Sequence, residues 1–89
     1  MNEMTNIGFI GMTHLGLNSA VVAAEKNFNI IAYDENVDKI KKLQIGDTHL
    51  NEPLLKELLK KNKKIINFTS NTDSLKKCDI LYIAADVQT

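Results

Sequence analysis

The chain has no arginine, since all of its basic residues are lysines, and this excludes the bidentate arginine clamp as a way to bind phosphate. It has a single cysteine, Cys78, which excludes an intrachain disulfide and indicates a reducing, cytoplasmic environment. No apolar run approaches the length of a membrane span, and residues 1–6 lack the apolar core of a signal peptide. We therefore expect no membrane partner and a cytoplasmic location.

The sequence also lacks an excess of either charge, because 11 basic residues balance 11 acidic ones. Without a net field, no general attraction to nucleic acid is expected. The lysine-rich run at residues 60–64 is either a phosphate or nucleic-acid patch or a solvated helix end, and its place after a predicted helix favours the helix end. Two histidines and one cysteine at scattered positions predict no metal site.

Predicted strands and helices alternate along the 89 residues, which are enough for one domain. This alternation predicts a parallel sheet with right-handed crossovers. We predict strands at residues 6–10, 30–33, 65–68 and 80–85, helices starting near residues 14, 36 and 53, and a short turn or helix at 73–77. The predicted fold is a truncated, Rossmann-like, doubly wound α/β domain over residues 1–89, with strand order 3-2-1-4 and a ligand crevice between strands one and four.

The apolar residues also predict which surfaces are buried. The first helix has a wide apolar arc that includes Leu15 and Val22, so we expect it to be well buried. The fourth strand is an almost unbroken apolar run, which is typical of a parallel strand covered on both faces. For the third helix we predict a leucine face made of Leu50, Leu54, Leu55, Leu58 and Leu59.

The most informative segment is Gly11-Met12-Thr13-His14-Leu15-Gly16, between the first predicted strand and helix. This is the layout of a dinucleotide-binding loop, in which glycines allow a tight turn and the helix N-terminus faces a pyrophosphate. Thr13 stands where the middle glycine of G-x-G-x-x-G is expected. Its branched side chain would obstruct the pyrophosphate, or its hydroxyl would donate to a phosphate, and the sequence leaves both readings open.

Asp34 directly follows the second predicted strand, about twenty residues after the loop. It is either a helix cap or the acid that accepts hydrogen bonds from the adenosine ribose, and its position favours the ribose role. A carboxylate there repels a 2′-phosphate, which favours NAD over NADP. His14 lacks a paired carboxylate within sequence reach, so we interpret it as a loop residue and not as a catalytic acid or base.

Further segments carry a family resemblance. The loop continues as Gly16-Leu17, Lys39 follows Asp34 by five positions, and Leu43-Gln44-Ile45-Gly46 leads into Asn51-Glu52-Pro53-Leu54-Leu55. The segment Cys78-Asp79-Ile80-Leu81-Tyr82-Ile83-Ala84 is similar to a strand of the same family. Together these segments resemble the N-terminal NAD-binding domain of the UDP-glucose/GDP-mannose dehydrogenase family over nearly the whole chain.

The resemblance implies NAD as cofactor and the oxidation of a nucleotide-sugar C6 hydroxyl to a carboxylate in two NAD-dependent steps. The cofactor-binding residues that it implies are Gly11, Met12, Thr13, His14, Leu15, Gly16, Asp34 and Lys39. The sequence departs from the family pattern at Thr13, at His14 (tyrosine in the family), at Leu54 (glycine) and at Val87-Gln88 (a Thr-Pro pair).

The family's catalytic cysteine lies in a downstream motif that residues 1–89 do not contain, and Cys78 is not its counterpart. We therefore predict no catalytic residue here, no activity for this chain alone, and contact with a nucleotide sugar only through a missing C-terminal part. The alternative is a non-catalytic nucleotide-binding, regulatory or oligomerising module. Because the fourth predicted strand contains no lysine or proline, we also expect homo-oligomers that pair at this edge.

Overall fold

The computed structural model describes residues 5–48 and 53–84. Its four strands form one parallel sheet in the order β3-β2-β1-β4, which confirms the predicted Rossmann-like α/β class and strand order. The elements, in chain order, are β1 (Asn6–Ile10), α1 (His14–Glu25), β2 (Asn29–Tyr33), α2 (Val37–Gln44), α3 (Pro53–Lys61), β3 (Ile66–Thr69), a 3₁₀ helix (Thr72–Lys77) and β4 (Ile80–Ile83).

Local sequence chemistry sets the ends of the helices. The Asn36 side chain accepts a hydrogen bond from the Lys39 amide and caps α2, as expected of a residue that prefers this position. Gly46, with φ +82°, ends the same helix in the left-handed region that glycine adopts without strain. Asn27, with φ +68°, turns the chain from α1 into β2. The predicted helix starts are therefore correct to within a residue or two.

One face of the sheet carries the hydrophobic core. Ile7 and Phe9 of β1 lie beside Ile30 and Ala32 of β2, because laterally paired residues of a parallel sheet point to the same face. These residues pack against helical side chains that are almost completely buried, namely Leu17, Ala20, Val21, Ala24, Ile40, Leu43, Leu55 and Leu59. The resulting core fixes α1 beside β1 and so positions the loop that joins them.

The opposite face is approached by the 3₁₀ helix. A Cβ at Gly8 of β1 would lie 2.6 Å from Leu81 Cδ2 and 2.8 Å from Cys78 Sγ. The absence of a side chain at Gly8 therefore lets β4 and the end of the 3₁₀ helix approach β1. The protein is wound on both faces of the sheet, as predicted.

The prediction that β4 is covered on both faces is wrong. Ile80, Leu81, Tyr82 and Ile83 are 44% to 76% exposed, and among the described residues β4 pairs only with β1. An apolar run identifies a strand, but it does not show how many layers cover that strand. The prediction of a sheet edge at β4 is confirmed for the described residues; Ala85 lies outside them.

The predicted burial of two leucines and one valine on the helices is also wrong. Leu54 of α3 is 64% exposed, while Leu55 and Leu59, four residues apart, form the buried row. Leu15 and Val22 of α1 are exposed as well, because α1 contacts the sheet over a narrower arc than its composition indicates. Leu50 lies outside the described residues.

Candidate nucleotide-binding site

The residues predicted to bind a nucleotide meet at the carboxyl edge of the sheet. All four strands run in parallel, so the residues that follow them are neighbours in space. Gly11 follows β1, Asp34 follows β2, Ser70 follows β3 and Ala84 follows β4. Backbone hydrogen bonds link them: Gly11 N donates to Tyr33 O at 2.8 Å, Ala84 N to Ile10 O at 2.8 Å and Asp34 N to Thr69 O at 3.2 Å.

The two loop glycines are required by close backbone packing. Gly11 has φ +98°, and a Cβ on it would lie 2.5 Å from the carbonyl oxygen of Ala84. A Cβ on Gly16 would overlap the carbonyl oxygen of Gly11 and lie 3.2 Å from Ala84 Cβ. The glycines thus let the start of α1 approach both β1 and the end of β4, which is the role that the fingerprint assigns to its first and last glycines.

Asp34 holds the loop through its carboxylate. Oδ2 accepts a hydrogen bond from the Met12 amide at 2.8 Å, and Oδ1 accepts one from the Asn36 amide at 2.9 Å. Lys39 Nζ lies 3.6 Å from Oδ2. A carboxylate has about four acceptor positions, so Asp34 retains capacity for a ribose hydroxyl. Since Asn36 is the N-cap of α2, the alternative of Asp34 as the helix cap is wrong.

Thr13 is the N-cap of α1, a role that the sequence argument missed. Its Oγ1 accepts a hydrogen bond from the Gly16 amide at 3.1 Å and donates one to the carbonyl oxygen of Ala84 at 3.3 Å. Its φ is −72°, so a side chain at this position introduces no backbone strain. The signal was present in the sequence, because threonine directly before a helix is a typical N-cap.

The first turn of α1 still offers donors to an anion. Among the described residues, the amides of Thr13, His14 and Leu15 have no acceptor. The side chains of His14 and Leu15 are exposed, whereas that of Met12 is completely buried in the core. Met12 therefore contributes its backbone to the loop, and its amide is already bonded to Asp34.

A cavity of about 220 Å³ lies beside the loop and is lined by Ile10, Gly11, Tyr33, Asp34 and Glu35. A larger apolar groove of about 630 Å³ lies elsewhere, between α1 and β4, where the rings of Phe9 and Tyr82 stack at 5.4 Å. The polar chemistry and the larger groove thus occupy different surfaces.

Ala84 is a site residue that the sequence argument did not identify, and Ser70 lies at the same edge of the sheet. Ala84 contributes its carbonyl oxygen to Thr13, which no side-chain pattern reveals. The Ser70 hydroxyl is buried without a hydrogen-bond partner among the described residues, at the same edge of the sheet as Asp34. Val87 and Gln88, predicted to follow the strand next to the cofactor, lie outside the described residues, as do Asn51 and Glu52.

The other candidate groups that the sequence offers are the single cysteine and the possible metal ligands. The pKa of the Cys78 thiol is raised, first by burial and then by the charge of Asp79, so it is a poorer nucleophile than an ordinary thiol. Its Sγ lies near Gly8, within the sheet, and not near the glycine loop. Within residues 5–48 and 53–84, no cluster of acidic, histidine and cysteine side chains is able to hold a metal, and no helix is long and apolar enough to cross a membrane.

The solved structures that are similar to the chain include two dehydrogenases. A UDP-glucose dehydrogenase from the hyperthermophilic archaeon Pyrobaculum islandicum matches 92% of the chain at 25% identity, with a TM-score of 0.84. A UDP-D-ManNAc dehydrogenase from Pyrococcus horikoshii matches 90% at 28% identity, with a TM-score of 0.77. In each case the match covers 20% of the other chain, so the chain spans about a fifth of the length of these enzymes.

Comparison of the sequence with known proteins and with family models gives two results. No curated protein matches the chain. The model of the UDP-glucose/GDP-mannose dehydrogenase family, NAD binding domain, matches residues 5–89, which include the glycine loop and Asp34. This match confirms both the predicted family and NAD as the cofactor. The chain belongs to the UDP-glucose/GDP-mannose dehydrogenase family, and it corresponds to the family's NAD-binding domain.

Proposed function

We propose that the chain is the NAD-binding part of a cytoplasmic nucleotide-sugar 6-dehydrogenase, which oxidises the C6 hydroxyl of a UDP- or GDP-sugar to a carboxylate. The catalytic cysteine and the sugar-binding surface would come from sequence outside residues 1–89. The observation that carries the proposal is the Asp34 carboxylate bonded to the glycine loop at Met12 N, in a chain that matches the family over residues 5–89.

The residues present fit the adenosine end of NAD. Asp34 lies beside a cavity of about 220 Å³, has acceptor capacity for ribose hydroxyls, and is paired with Lys39. The amides of Thr13, His14 and Leu15 point out of a helix N-terminus, which favours phosphate. When bound, NAD supplies a hydride acceptor, while the residues of this chain bind and orient it.

The experiment that tests binding is a titration of the ¹⁵N-labelled chain with NAD. We expect chemical-shift changes at Gly11, Gly16 and Asp34, with a dissociation constant on the order of 0.1–1 mM or weaker, because only one side of the cofactor is enclosed. NADP is the matched control and should bind more weakly because Asp34 repels its 2′-phosphate. An unchanged spectrum at millimolar NAD would refute the site.

The reaction itself is tested on the complete product of the gene. If the reading frame continues past Thr89 into a cysteine-containing catalytic part, the encoded protein should reduce NAD to NADH when UDP-glucose or GDP-mannose is added, as measured by absorbance. A complete gene product without that part would refute the dehydrogenase proposal.

A second candidate function is a non-catalytic nucleotide-binding or regulatory module. Thr13 favours it, because the Thr13 hydroxyl accepts the hydrogen bond of the Gly16 amide, which would otherwise be able to donate to a phosphate. The two functions are separated by the reaction test above, since a regulatory module would bind nucleotide but produce no NADH. A structural module that only oligomerises would fail both the titration and the reaction test.

A further inference from the structure

The Thr13 side chain closes the glycine loop on itself. Its oxygen accepts from the Gly16 amide at 3.1 Å, and its proton is directed to the Ala84 carbonyl at 3.3 Å. The first contact is the one that a helix N-cap makes, and the second ties the loop to the end of β4. Both partners are buried, Gly16 in the first turn of α1 and Ala84 at the end of β4. The hydroxyl therefore donates to a phosphate only if its hydrogen bond to the Ala84 carbonyl breaks.

This arrangement affects the pyrophosphate more than the ribose. In the fingerprint, glycine at the middle position allows the backbone to approach the pyrophosphate. Here that position has a β-branched side chain, and the Gly16 amide, which would otherwise be available, already has an acceptor. The Asp34 carboxylate and the cavity beside it are on the β2 side of the loop and do not involve Thr13.

We propose that Thr13 sets the ligand preference of this site: the loop is capped by its own side chain, so the site recognises an adenosine mononucleotide and gains little from the rest of NAD. The inference rests on the proposed function, because it assumes that the nucleotide binds at this loop. It makes Thr13 a specificity-determining residue that acts through the Gly16 amide.

The test is to titrate the chain with AMP and with NAD, following amide chemical shifts, and to repeat both titrations with Thr13→Gly and Thr13→Ser. In the wild-type chain, the dissociation constants of AMP and NAD should agree within about threefold, because the second phosphate makes little additional contact. Thr13→Gly frees the Gly16 amide and the backbone approach, and should raise NAD affinity about tenfold, the value of one hydrogen bond to a charged group. AMP affinity should change much less.

Thr13→Ser is the matched control, because serine keeps the hydroxyl and removes only the methyl group. It should behave like the wild type, with the Gly16 amide resonance unchanged. Glycine and serine are both accepted at N-caps, so the variants should fold, and the dispersion of the amide spectrum verifies this.

The outcomes separate the two proposals. Wild-type affinity for NAD at least about tenfold above that for AMP would overturn the inference and leave NAD binding intact. An equal gain in Thr13→Ser and Thr13→Gly would also overturn it, since the methyl group and not the cap would then limit binding. If neither nucleotide shifts Gly11, Gly16 or Asp34 in wild type or in Thr13→Gly, the proposed function itself fails.

Discussion

Replacing Asp34 by alanine should destabilise the protein as well as weaken nucleotide binding. The side chain is only 12% exposed and is the acceptor for two backbone amides, those of Met12 and Asn36. Removing it leaves the Met12 amide without a partner in a residue that is completely buried. The variant therefore tests whether the glycine loop is held by this carboxylate before any ligand arrives.

The magnitude follows from the three contacts. A buried amide left unsatisfied costs about 1–3 kcal/mol, while the amide of exposed Asn36 is satisfied by water at little cost. The ion pair with Lys39, at 3.6 Å and partly exposed, adds less than about 1 kcal/mol. We therefore expect the free energy of unfolding to fall by about 2 kcal/mol, a large part of the roughly 4–13 kcal/mol typical of a chain of this length.

The assay is urea denaturation followed by far-UV circular dichroism, for wild type, Asp34→Ala and Glu35→Ala. Glu35 is the matched control, since it is adjacent, exposed and makes no hydrogen bond or ion pair with the described residues, so its loss should change stability by less than about 0.5 kcal/mol. A loss in Asp34→Ala no larger than in Glu35→Ala would refute the assigned role of Asp34. In NAD titrations, Asp34→Ala should bind NAD more weakly and discriminate less against NADP; unaltered NAD affinity would refute the ribose assignment.

Three further predictions concern other parts of the molecule. Glu25 accepts hydrogen bonds from Lys61 at 2.7 Å and from Asn62 at 2.8 Å, and these bonds, that of Lys61 first, lower the pKa of its carboxyl group. Glu25→Gln should therefore reduce the free energy of unfolding at neutral pH, measured by urea denaturation at several pH values. The difference from wild type should vanish as the pH falls below 4.5 and through the lowered folded-state pKa. An equal difference at every pH would contradict this. Cys78 should react with iodoacetamide more slowly than a free thiol at the same pH, because its pKa is raised, and equal rates would count against its burial. The chain should self-associate through the β4 edge, as measured by sedimentation, and a monomeric wild type at high concentration would refute this. Ile83→Lys should favour the monomer and disturb the fold less than Leu81→Lys, because Ile83 is 76% exposed while Leu81 packs beside Gly8.

The sequence was sufficient for the fold because local and global signals agree. Apolar strands alternate with capped helices, and the right-handed crossover rule then leaves few topologies for four parallel strands. Gly46 and Asn36 marked the ends of α2 through their own conformational preferences. What failed was burial: Leu54 and the β4 residues are exposed because coverage depends on neighbours that the sequence pattern of a single element does not contain.

The site was predictable in part for the same reason. Gly11, Gly16 and Asp34 were identified because their spacing reflects one βαβ unit, and the structure brings them together. The Thr13 contact with Ala84 joins residues 71 positions apart through a backbone carbonyl, which no motif records. Whether each of the eight predicted residues touches NAD remains a prediction.

The bond between Thr13 and Ala84 also links the order of the loop to the outermost strand. Strand β4 is attached to β1 alone among the described residues, and an exposed edge opens more readily than the interior of a sheet. Each opening event removes the acceptor of the Thr13 hydroxyl and the carbonyl that lies against Gly11. A ligand that requires the ordered loop thus binds only the closed form and holds the strand in place. We therefore expect hydrogen exchange at the β4 amides to slow when a nucleotide binds at the loop, although the two are far apart in sequence.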